Sequence, residues 1–322
     1  MRSEFELIRR HFVHPAPGTR LSVGDDCALM TPSPGQELAV STDVLVAGRH
    51  FFDNTDPYRL GRKSAAVNLS DIAAMGARPR WATLGITLSP AQDEPWVEAF
   101  ARGFHDELQV HDTDWVGGDT TSGPVAMIAV TILGEVPPGQ ALLRSGARAG
   151  DDIWVSGTPG DAALGLRFLK ESLPLAEEDR NHCLARLETP TPRVALGLGL
   201  RGIAHAAIDV SDGLLADLGH ILEASGVGAS LELARMPRSA AMLRQQALPD
   251  WPLLLLSGGD DYELCFTAAP EAAPRVQRAA AAAAVPVTRI GRVTDKGGRI
   301  LYDGDGRPMD MAWQGFDHFR NA

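Results

Sequence analysis

The segment Val67-Asn68-Leu69-Ser70-Asp71-Ile72-Ala73-Ala74-Met75-Gly76 decides the fold, because it is where a helix gives way to a strand. The pattern predicts a helix over Tyr58 to Met75, since Gly76 follows the last periodic residue and Pro79 lies just beyond. The apolar run Trp81 to Leu88 that comes next predicts a strand. A helix followed so closely by an apolar strand is typical of a chain that alternates the two.

This helix carries polar residues on one stripe and apolar residues on the other. Three polar side chains recur at intervals of three and four residues: Ser64, Asn68 and Asp71. The opposite stripe is predicted to face the core: Leu60, Val67 and Ile72. A polar stripe is ordinarily a solvated surface. The residues around Asp71 favour a functional role for its carboxylate over that explanation.

The same alternation extends along both halves of the chain. In the first half the patterns predict the helix Glu94 to Val110, a turn at Gly117 to Thr121, and the strands Glu37 to Val44, Asp114 to Val116 and Val125 to Leu133. In the second half they predict the helices Asp161 to Lys170, Ser211 to Ala224 and Pro270 to Ala284, and the strands Asp152 to Val155, Ala229 to Leu233, Leu253 to Leu256 and Glu263 to Phe266. The sequence therefore predicts an α/β fold.

A break between the two halves lies at residues 135 to 150, where proline and glycine replace the periodic pattern. Pro137-Pro138-Gly139 and Arg144-Ser145-Gly146 have the composition of a linker. We therefore predict two domains of ordinary size, residues 1 to 140 and residues 141 to 322.

Composition and charge exclude several classes of partner. Thirty Lys and Arg against 41 Asp and Glu give a formal net charge of −11, and the cations form no basic run. We expect no nucleic-acid partner, because nucleic-acid binding needs clustered cations. The apolar runs are too short to cross a membrane, and Met1 to Phe5 lack the apolar core of a signal peptide. Cys27, Cys183 and Cys265 form no disulfide framework, so we expect a cytoplasmic protein.

Acidic residues cluster at five places along the chain. They are Gly24-Asp25-Asp26, Ser41-Thr42-Asp43, Asp71, Gly118-Asp119 and Asp209-Val210-Ser211-Asp212-Gly213. Any one Asp-Gly pair is more often a simple turn. Five such clusters in one chain instead predict a magnesium site, because Mg²⁺ prefers carboxylate oxygens together with water and substrate phosphates. Cations that could bind phosphate are few: Arg49, His50, Arg144 and Arg148.

The sequence does not contain the common nucleotide-binding signatures. Gly61-Arg62-Lys63-Ser64 lacks the upstream glycine of a phosphate-binding loop and lies within the predicted helix. Gly197-Leu198-Gly199-Leu200-Arg201-Gly202 matches the dinucleotide pattern in letters, but it follows a predicted helix and Asp209 comes too early for the ribose contact. We interpret that match as chance.

Taken together, the motifs resemble those of the thiamine-monophosphate kinases. The resemblance is carried by Gly24-Asp25-Asp26-Cys27-Ala28, Ser41-Thr42-Asp43, Val67 to Gly76, Gly117-Gly118-Asp119-Thr120-Thr121, Asp209-Val210-Ser211-Asp212-Gly213 and Gly258-Gly259-Asp260-Asp261-Tyr262-Glu263-Leu264. Their order and spacing agree from near residue 5 to Gly315-Phe316-Asp317-His318-Phe319. The resemblance implies the aminoimidazole ribonucleotide synthetase-like fold, with two α/β domains, mixed sheets and N-terminal domains that pair in a homodimer.

The resemblance also implies a role for individual residues. The implied magnesium ligands are Asp26, Ser41, Thr42, Asp43, Asp71, Asp119, Asp209 and Asp212. The residues implied to contact ATP are Gly118, Asp119, Arg144 and Ser211, and those implied to contact thiamine monophosphate are His50, Asp260 and Phe316. Two positions depart from the family pattern, which has Glu where Asp260 stands and commonly Tyr or Trp where Phe316 stands.

The implied reaction is the ATP-dependent phosphorylation of thiamine monophosphate to thiamine diphosphate. The acceptor phosphate is already an anionic oxygen nucleophile, so no strong general base is needed. We therefore expect direct in-line transfer of the γ-phosphoryl group, assisted by several Mg²⁺ ions that neutralise charge and position the reactants.

Other functions remain as alternatives. Selenophosphate synthetase and a hydrogenase-maturation carbamoyl dehydratase share the implied fold, but the first uses a reactive amino-terminal Cys or selenocysteine and the second a carboxy-terminal Cys. Cys27 lies within the Gly-Asp-Asp turn and the chain ends Arg320-Asn321-Ala322, so neither pattern is met. A non-catalytic nucleotide or metal sensor is the alternative from another class, and the intact acidic clusters speak against it.

Overall fold

The computed structural model describes residues 4–295 and 298–309. The chain divides into two compact units. The first unit comprises Met1–Ile72 and Ala77–Gly139, and the second comprises Ala73–Gly76 and Gln140–Ala322. Within the described residues, no helix is both long and apolar enough to cross a membrane.

The first unit contains a mixed sheet covered by helices. Its helices are α1 (Glu4–Leu7), which continues as a π-helical turn at Ile8–Phe12, α2 (Pro57–Ala74) and α3 (Glu94–Val110). Its strands are β1 (Glu37–Val46), β2 (Arg78–Leu88), β3 (Asp114–Ser122) and β4 (Met127–Val136). The strand order is β1-β4-β2-β3, with β4 antiparallel to both neighbours and β2 parallel to β3.

The second unit contains a longer mixed sheet. Its helices are α4 (Asp161–Glu171), α5 (Glu177–Glu188), α6 (Val194–Leu200), α7 (Leu214–Ser225), α8 (Ala240–Arg244), α9 (Trp251–Ser257) and α10 (Ala273–Ala282). Its strands are β5 (Asp152–Ser156), β6 (Ala206–Val210), β7 (Gly228–Glu232), β8 (Glu263–Ala268), β9 (Val287–Thr294), β10 (Arg299–Tyr302) and β11 (Pro308–Met309). Among described residues the order is β11-β10-β7-β9-β5-β8-β6, and β7 and β10 are the parallel pair.

The α/β prediction is confirmed, but two local predictions are wrong. The run Leu253 to Leu256 was predicted as a strand and is part of helix α9. A short apolar run has no periodicity that separates a strand from a buried helix, and Pro252 at the start of α9 favours the helix. Gly117 to Thr121 was predicted as a turn and lies within β3, where it pairs with β2.

The structure also tests the interpretation of the dinucleotide-like pattern and the predicted stripes of α2. The dinucleotide-like pattern that begins at Gly197 lies within and just after α6, as its interpretation as chance requires. The predicted core stripe of α2 is buried, since the exposed fractions of Leu60, Val67 and Ile72 are 0%, 3% and 1%. The polar stripe is not a solvated surface, because Ser64 and Asn68 are both 0% exposed.

Aromatic side chains fill the core of the first unit. Phe100 on α3 is fully buried, stacks on Trp96 with ring centroids 5.3 Å apart, and lies 6.3 Å from the ring of Phe104. Phe104 in turn contacts the edge of Trp115 on β3 at 4.8 Å. This chain of rings holds α3 against the sheet.

The aromatic core leads to a prediction about stability. Phe100→Ala leaves a cavity beneath α3, and we expect it to lower the free energy of unfolding by about 3–5 kcal/mol. Val110→Ala, on the same helix but with the valine 70% exposed, should change it by less than about 0.5 kcal/mol. Urea unfolding followed by tryptophan fluorescence measures both. Equal effects of the two substitutions would contradict this description of the core.

Candidate active site

Strand β1 and helix α2 bring part of the predicted metal site together. Successive side chains of a strand point to opposite faces, so Ser41 and Asp43 share the face that meets α2. The Ser41 hydroxyl donates a hydrogen bond to Asp71 Oδ2 at 2.5 Å, and the Asp43 amide donates to Asn68 Oδ1 at 3.2 Å. The polar stripe of α2 therefore faces this part of β1 and positions Asp71 beside Ser41.

Thr42 lies on the other face of the same strand. Its Oγ1 is 2.8 Å from Oγ1 of Thr131 across the β1–β4 pair, and both side chains meet there on the exposed face of the sheet. Its hydroxyl therefore lies apart from Ser41 and Asp71, and only the main chain of Thr42 can serve the same site. The alternation of side chains along a strand is the sequence signal that distinguishes Thr42 from its two neighbours.

The Gly118-Asp119 pair lies on β3 rather than in a turn. A Cβ atom at Gly118 would lie 1.8 Å from the main-chain oxygen of Leu84, so only glycine allows β3 to approach β2 this closely. Asp119 stands opposite Gly85 in the register and its side chain is exposed. Because this side chain is exposed, the Asp119 carboxylate is accessible to a ligand.

Asp26 and His50 lie in loops of the first unit. Asp26 is exposed in the loop that the Leu21–Leu29 bridge closes, and its amide donates to Asp25 Oδ1 at 2.9 Å. His50 follows β1, and its Nδ1 lies 3.0 Å from the amide nitrogen of Val46, which donates to it. Because Nδ1 accepts a hydrogen bond, the neutral ring carries its proton on Nε2, and Nε2 can donate to an anion.

The donor set of the first unit fits magnesium. Within residues 4–295 and 298–309 no three His, Cys, Asp or Glu side chains form a metal-binding group, so the convergence of Asp26, Asp43, Asp71 and Asp119 stays a prediction. Mg²⁺ does not require such a group, because it is usually held by one or two carboxylates, water and substrate phosphates. The hydroxyl and carboxylate oxygens of Ser41 and Asp71, already in contact, are suitable hard ligands.

The second unit presents another acidic turn, at the end of β6. Asp209 is the fourth residue of β6 and is buried, whereas Ser211 and Asp212 are partly exposed in the turn that leads into α7. Asp217 on the first turns of α7 reaches back to this turn. Its Oδ2 accepts hydrogen bonds from the amides of Ser211, Asp212 and Gly213 at 3.0, 3.1 and 3.1 Å.

Asp217 is a residue that the sequence reasoning missed. Burial raises the pKa of its carboxyl to about 7, and the negative charge of Asp212 also raises it, whereas the three amide hydrogen bonds lower it. The sequence does contain a signal for it: Asp217 comes a few residues after Asp212-Gly213, near the start of a predicted helix. Carboxylates at this end of a helix bind main-chain amides that have no partner within the helix.

The Asp260 segment docks on the same turn. The Asp260 amide donates to the Ser211 carbonyl at 2.8 Å, and the Tyr262 amide donates to the Val210 carbonyl at 2.7 Å. A Cβ atom at Gly259 would lie 2.6 Å from the Ser211 oxygen, so the approach depends on glycine. Within this unit the predicted substrate residue Asp260 is thus fixed to the segment that carries Asp209 and Asp212.

The segment around Asp260 has a strained backbone that hydrogen bonds hold in place. Asp260 and Tyr262 both adopt positive φ, 66° and 51°, which is uncommon for side-chain-bearing residues. The Tyr262 hydroxyl donates to Asp260 Oδ1 at 3.2 Å. Asp261, between them, is fully buried and accepts from the Gly160 amide at 2.9 Å, and burial raises its pKa well above the usual range. Asparagine and aspartate tolerate positive φ better than glutamate, which suits Asp at position 260.

A buried ion cluster anchors the end of the segment. Glu263 accepts from Arg186 at 2.7 Å and from Arg193 Nε at 2.6 Å, and the Ser156 hydroxyl donates to it at 2.5 Å. Arg186 also donates to the Asp261 carbonyl at 2.8 Å. Sequence reasoning assigned Glu263 to the motif but missed both arginines, because they come from α5 and the start of α6, about 70 residues away.

Arg144 and Phe316 are the two remaining residues of the predicted site. Arg144 has an exposed side chain, and its carbonyl accepts from the Ser225 hydroxyl at 3.2 Å at the end of α7. Phe316 lies outside the described residues. Each unit by itself thus offers oxygen ligands for a divalent cation, and the second unit adds a carboxylate at Asp260 and a guanidinium at Arg144.

Comparison with known proteins finds relatives that match nearly the whole chain. Residues 24–136 match the model of the AIR synthase related protein, N-terminal domain, and residues 148–304 match that of the C-terminal domain. The thiamine-monophosphate kinase of Salmonella typhimurium is 48% identical over 330 residues, which cover 98% of both chains. The crystal structure of thiamine-monophosphate kinase from Stenotrophomonas maltophilia K279a is 44% identical, with a TM-score of 0.85 over 95% of this chain and 96% of that one. A solved structure of AaThiL complexed with AMPPCP and TMP is 29% identical, with a TM-score of 0.79 over 99% of both chains.

The contact between Ser41 and Asp71 leads to a prediction about charge. Asp71→Asn keeps the size of the side chain and an oxygen that can accept from Ser41, but it removes one negative charge. If the four aspartates of the first unit converge, this removal relieves repulsion between like charges. We expect the metal-free variant to melt at or above the wild-type temperature, and Mg²⁺ to stabilise it less than it stabilises the wild type. Turnover with ATP should fall by roughly a hundredfold or more.

Thermal melts in EDTA and across a MgCl₂ series, with turnover assays alongside, measure these effects. Asp106→Asn is a matched control, because Asp106 is an exposed carboxylate that also accepts a hydroxyl, from Tyr58 at 2.9 Å. The control should leave both magnesium stabilisation and turnover unchanged. A variant at Asp71 that melts well below the wild type and keeps near-normal turnover would assign Asp71 a structural role instead.

Proposed function

The chain belongs to the AIR synthase related family and, within it, to the thiamine-monophosphate kinases, and we propose on this basis that it phosphorylates thiamine monophosphate with ATP. The observation that carries the proposal is the 48% identity to a named kinase over 98% of both chains. The AaThiL structure with AMPPCP, a nucleotide analogue of ATP, and TMP supports the same pair of substrates. The product is thiamine diphosphate, with ADP as the other product.

The acceptor phosphate oxygen attacks the γ-phosphorus of ATP in line with the bond to ADP. A new P–O bond forms, the bond between the γ-phosphorus and the bridging oxygen breaks, and its electron pair leaves with ADP. No side chain must remove a proton from a phosphate that is already anionic. The residues of the chain therefore have to bring two anions together and hold them in line.

We assign the binding of Mg²⁺ to Asp26, Ser41, Asp43, Asp71, Asp119, Asp209, Asp212 and the main chain of Thr42. When bound, magnesium supplies positive charge that neutralises the phosphate oxygens. What the chain itself provides is orientation: Ser41 holds Asp71, Asn68 holds the main chain at Asp43, and three amides of the Asp209–Gly213 turn are held by Asp217.

The substrates are assigned to the remaining residues. ATP is assigned to Gly118, Asp119, Arg144 and Ser211. The glycine allows close approach of main chain to phosphate, and the Arg144 guanidinium can bind phosphate oxygens in a planar fork. The Nε2 proton of His50 suits the acceptor phosphate, and the Asp260 carboxylate suits the cationic thiazolium or the aminopyrimidine of thiamine. Phe316 is assigned to the same substrate by stacking.

A homodimer is the second part of the proposal, and an exposed apolar face of the first unit supports it. Leu38, Val40 and Val44 on β1 are 45%, 60% and 44% exposed, and Met127 on β4 is 41% exposed. They lie on the face opposite to α2, together with Thr42 and Thr131. Contiguous apolar surface of this kind is characteristic of protein interfaces. A second copy of the same sheet would cover it by a symmetric contact. The cytoplasmic location predicted from cysteine usage stays a prediction.

The first prediction here concerns the substrate. With ATP and MgCl₂, the protein should convert thiamine monophosphate to thiamine diphosphate, while free thiamine gives no product because it lacks the acceptor phosphate. Chromatographic separation of thiamine esters measures both reactions. Turnover of thiamine but not of its phosphate would overturn the proposal. Binding of ATP without turnover of any thiamine compound would favour a nucleotide sensor.

The second prediction concerns assembly. Light scattering at micromolar concentration should give twice the chain mass of 34.3 kDa. Val40→Glu places a charge on the exposed face of β1 and should shift the protein toward the monomer. Val110→Glu, at a valine that is even more exposed but lies on α3, is the matched control and should stay dimeric. A wild-type monomer, or a dimer that tolerates Val40→Glu, would contradict this interface.

A further inference from the structure

We propose that Asp217 is the positioning residue for the acidic turn Asp209–Gly213, and that it acts through its ability to accept hydrogen bonds and not through its charge. The inference rests on the proposed function, since it assumes that this turn binds magnesium and nucleotide. Asp217 itself touches neither ligand in this proposal. It fixes the main chain from which Asp209, Ser211 and Asp212 project.

The turn is held from two opposite sides. On one side the amides of Ser211, Asp212 and Gly213 all donate to a single oxygen, Oδ2 of Asp217, at 3.0 to 3.1 Å. On the other side the carbonyls of Val210 and Ser211 accept from the amides of Tyr262 and Asp260 at 2.7 and 2.8 Å. Amides and carbonyls of one short segment are thus fixed at the same time, in opposite directions.

This arrangement decides what the turn can offer to a ligand. Three successive amides that point into one concave site form an anion-binding nest, which in other proteins accepts a phosphate. Here a carboxylate of the chain itself already fills the nest, so these amides are directed inward. The side chains of Ser211 and Asp212 are left partly exposed, and the Asp212 carboxylate favours a cation rather than a phosphate as its ligand.

Loss of Asp217 would free the three amides in a buried environment. Asp217 is 3% exposed and Gly213 is buried, so unpaired amides there are costly and the peptide planes would rotate to find other acceptors. Rotation of the Ser211 peptide would move the carbonyl that holds Asp260. The magnesium ligands and the substrate carboxylate of the second unit would then shift together.

Because one oxygen, Oδ2 of Asp217, accepts all three hydrogen bonds, substitutions at this residue can test the proposal. Asp217→Asn keeps one carboxamide oxygen at the same position and should preserve the turn. Asp217→Leu has no acceptor and should release it. Asp217→Glu keeps charge and polarity but displaces the oxygen by one methylene group, so it tests geometry even if the leucine variant does not fold. Asp179→Leu is the matched control, since Asp179 is also a buried acid in the first turn of a helix, but it binds Arg244 at 2.7 Å.

Two readouts separate positioning from general stability. Amide hydrogen exchange of a peptide covering Ser211–Gly213 should be about tenfold or more faster in Asp217→Glu and Asp217→Leu, and near wild type in Asp217→Asn. Calorimetry with Mg·AMPPCP should show about tenfold or more weaker binding for the same two variants, since small displacements of ligands are costly. The apparent magnesium requirement of turnover should rise in parallel.

The control should lower the melting temperature while leaving exchange at Ser211–Gly213 and the affinity for Mg·AMPPCP unchanged. Wild-type exchange and affinity in folded Asp217→Glu or Asp217→Leu would overturn the proposal and leave Asp217 a structural cap. Loss of both properties in Asp217→Asn would also overturn it, because charge would then be required. If the wild type itself fails to phosphorylate thiamine monophosphate, the proposed function fails, while the exchange experiment still decides the role of Asp217.

Discussion

The structure depends on how the side chains and the main chain of its acidic clusters are held in place. Like charges repel and would turn away into water if their side chains and main chain were free. Hydrogen bonds within the protein oppose this tendency at two of the acidic clusters. Ser41 donates to Asp71 in the first unit, and in the second unit three amides donate to Asp217 beneath the turn that carries Asp209 and Asp212.

In the second unit, contacts with the turn after β6 and with the core hold the Asp260 segment in place. The Asp260 segment contains two residues with positive φ, a conformation that persists only where surrounding contacts determine it. Main-chain bonds to Val210 and Ser211 fix one side of the segment. The Glu263 carboxylate, with two arginines and Ser156 around it, anchors the other side within the core. Buried charges of this kind are stable only when each has its partners, so the cluster also restricts which substitutions the segment tolerates.

Much of the fold was predictable because it follows from local periodicity. The helices that became α2, α3 and α4 and the strands that became β1, β2 and β5 all lie close to their predicted ranges. The errors occur where periodicity carries no information: the run Leu253 to Leu256 is short and apolar throughout, and Gly117 to Thr121 is rich in residues typical of turns although β2 provides it with a pairing partner. The arginines of the Glu263 cluster could not be found by spacing, because α5 and α6 reach Glu263 only once the second unit is packed.

The sequence by itself determined the class of fold, the acidic and glycine-rich motifs, and through them the family with its phosphoryl-transfer chemistry. These features are local, since a motif needs only neighbouring residues and a helix or strand needs only its own periodicity. Tertiary structure alone decided which residues face one another: Ser41 meets Asp71, Thr42 meets Thr131, and Asp260 is bound to Ser211. Ser41 and Asp71 are 30 positions apart in the chain, and Thr42 and Thr131 are 89 positions apart. Packing of the elements, not any property of the segments alone, brings these residues within hydrogen-bond distance.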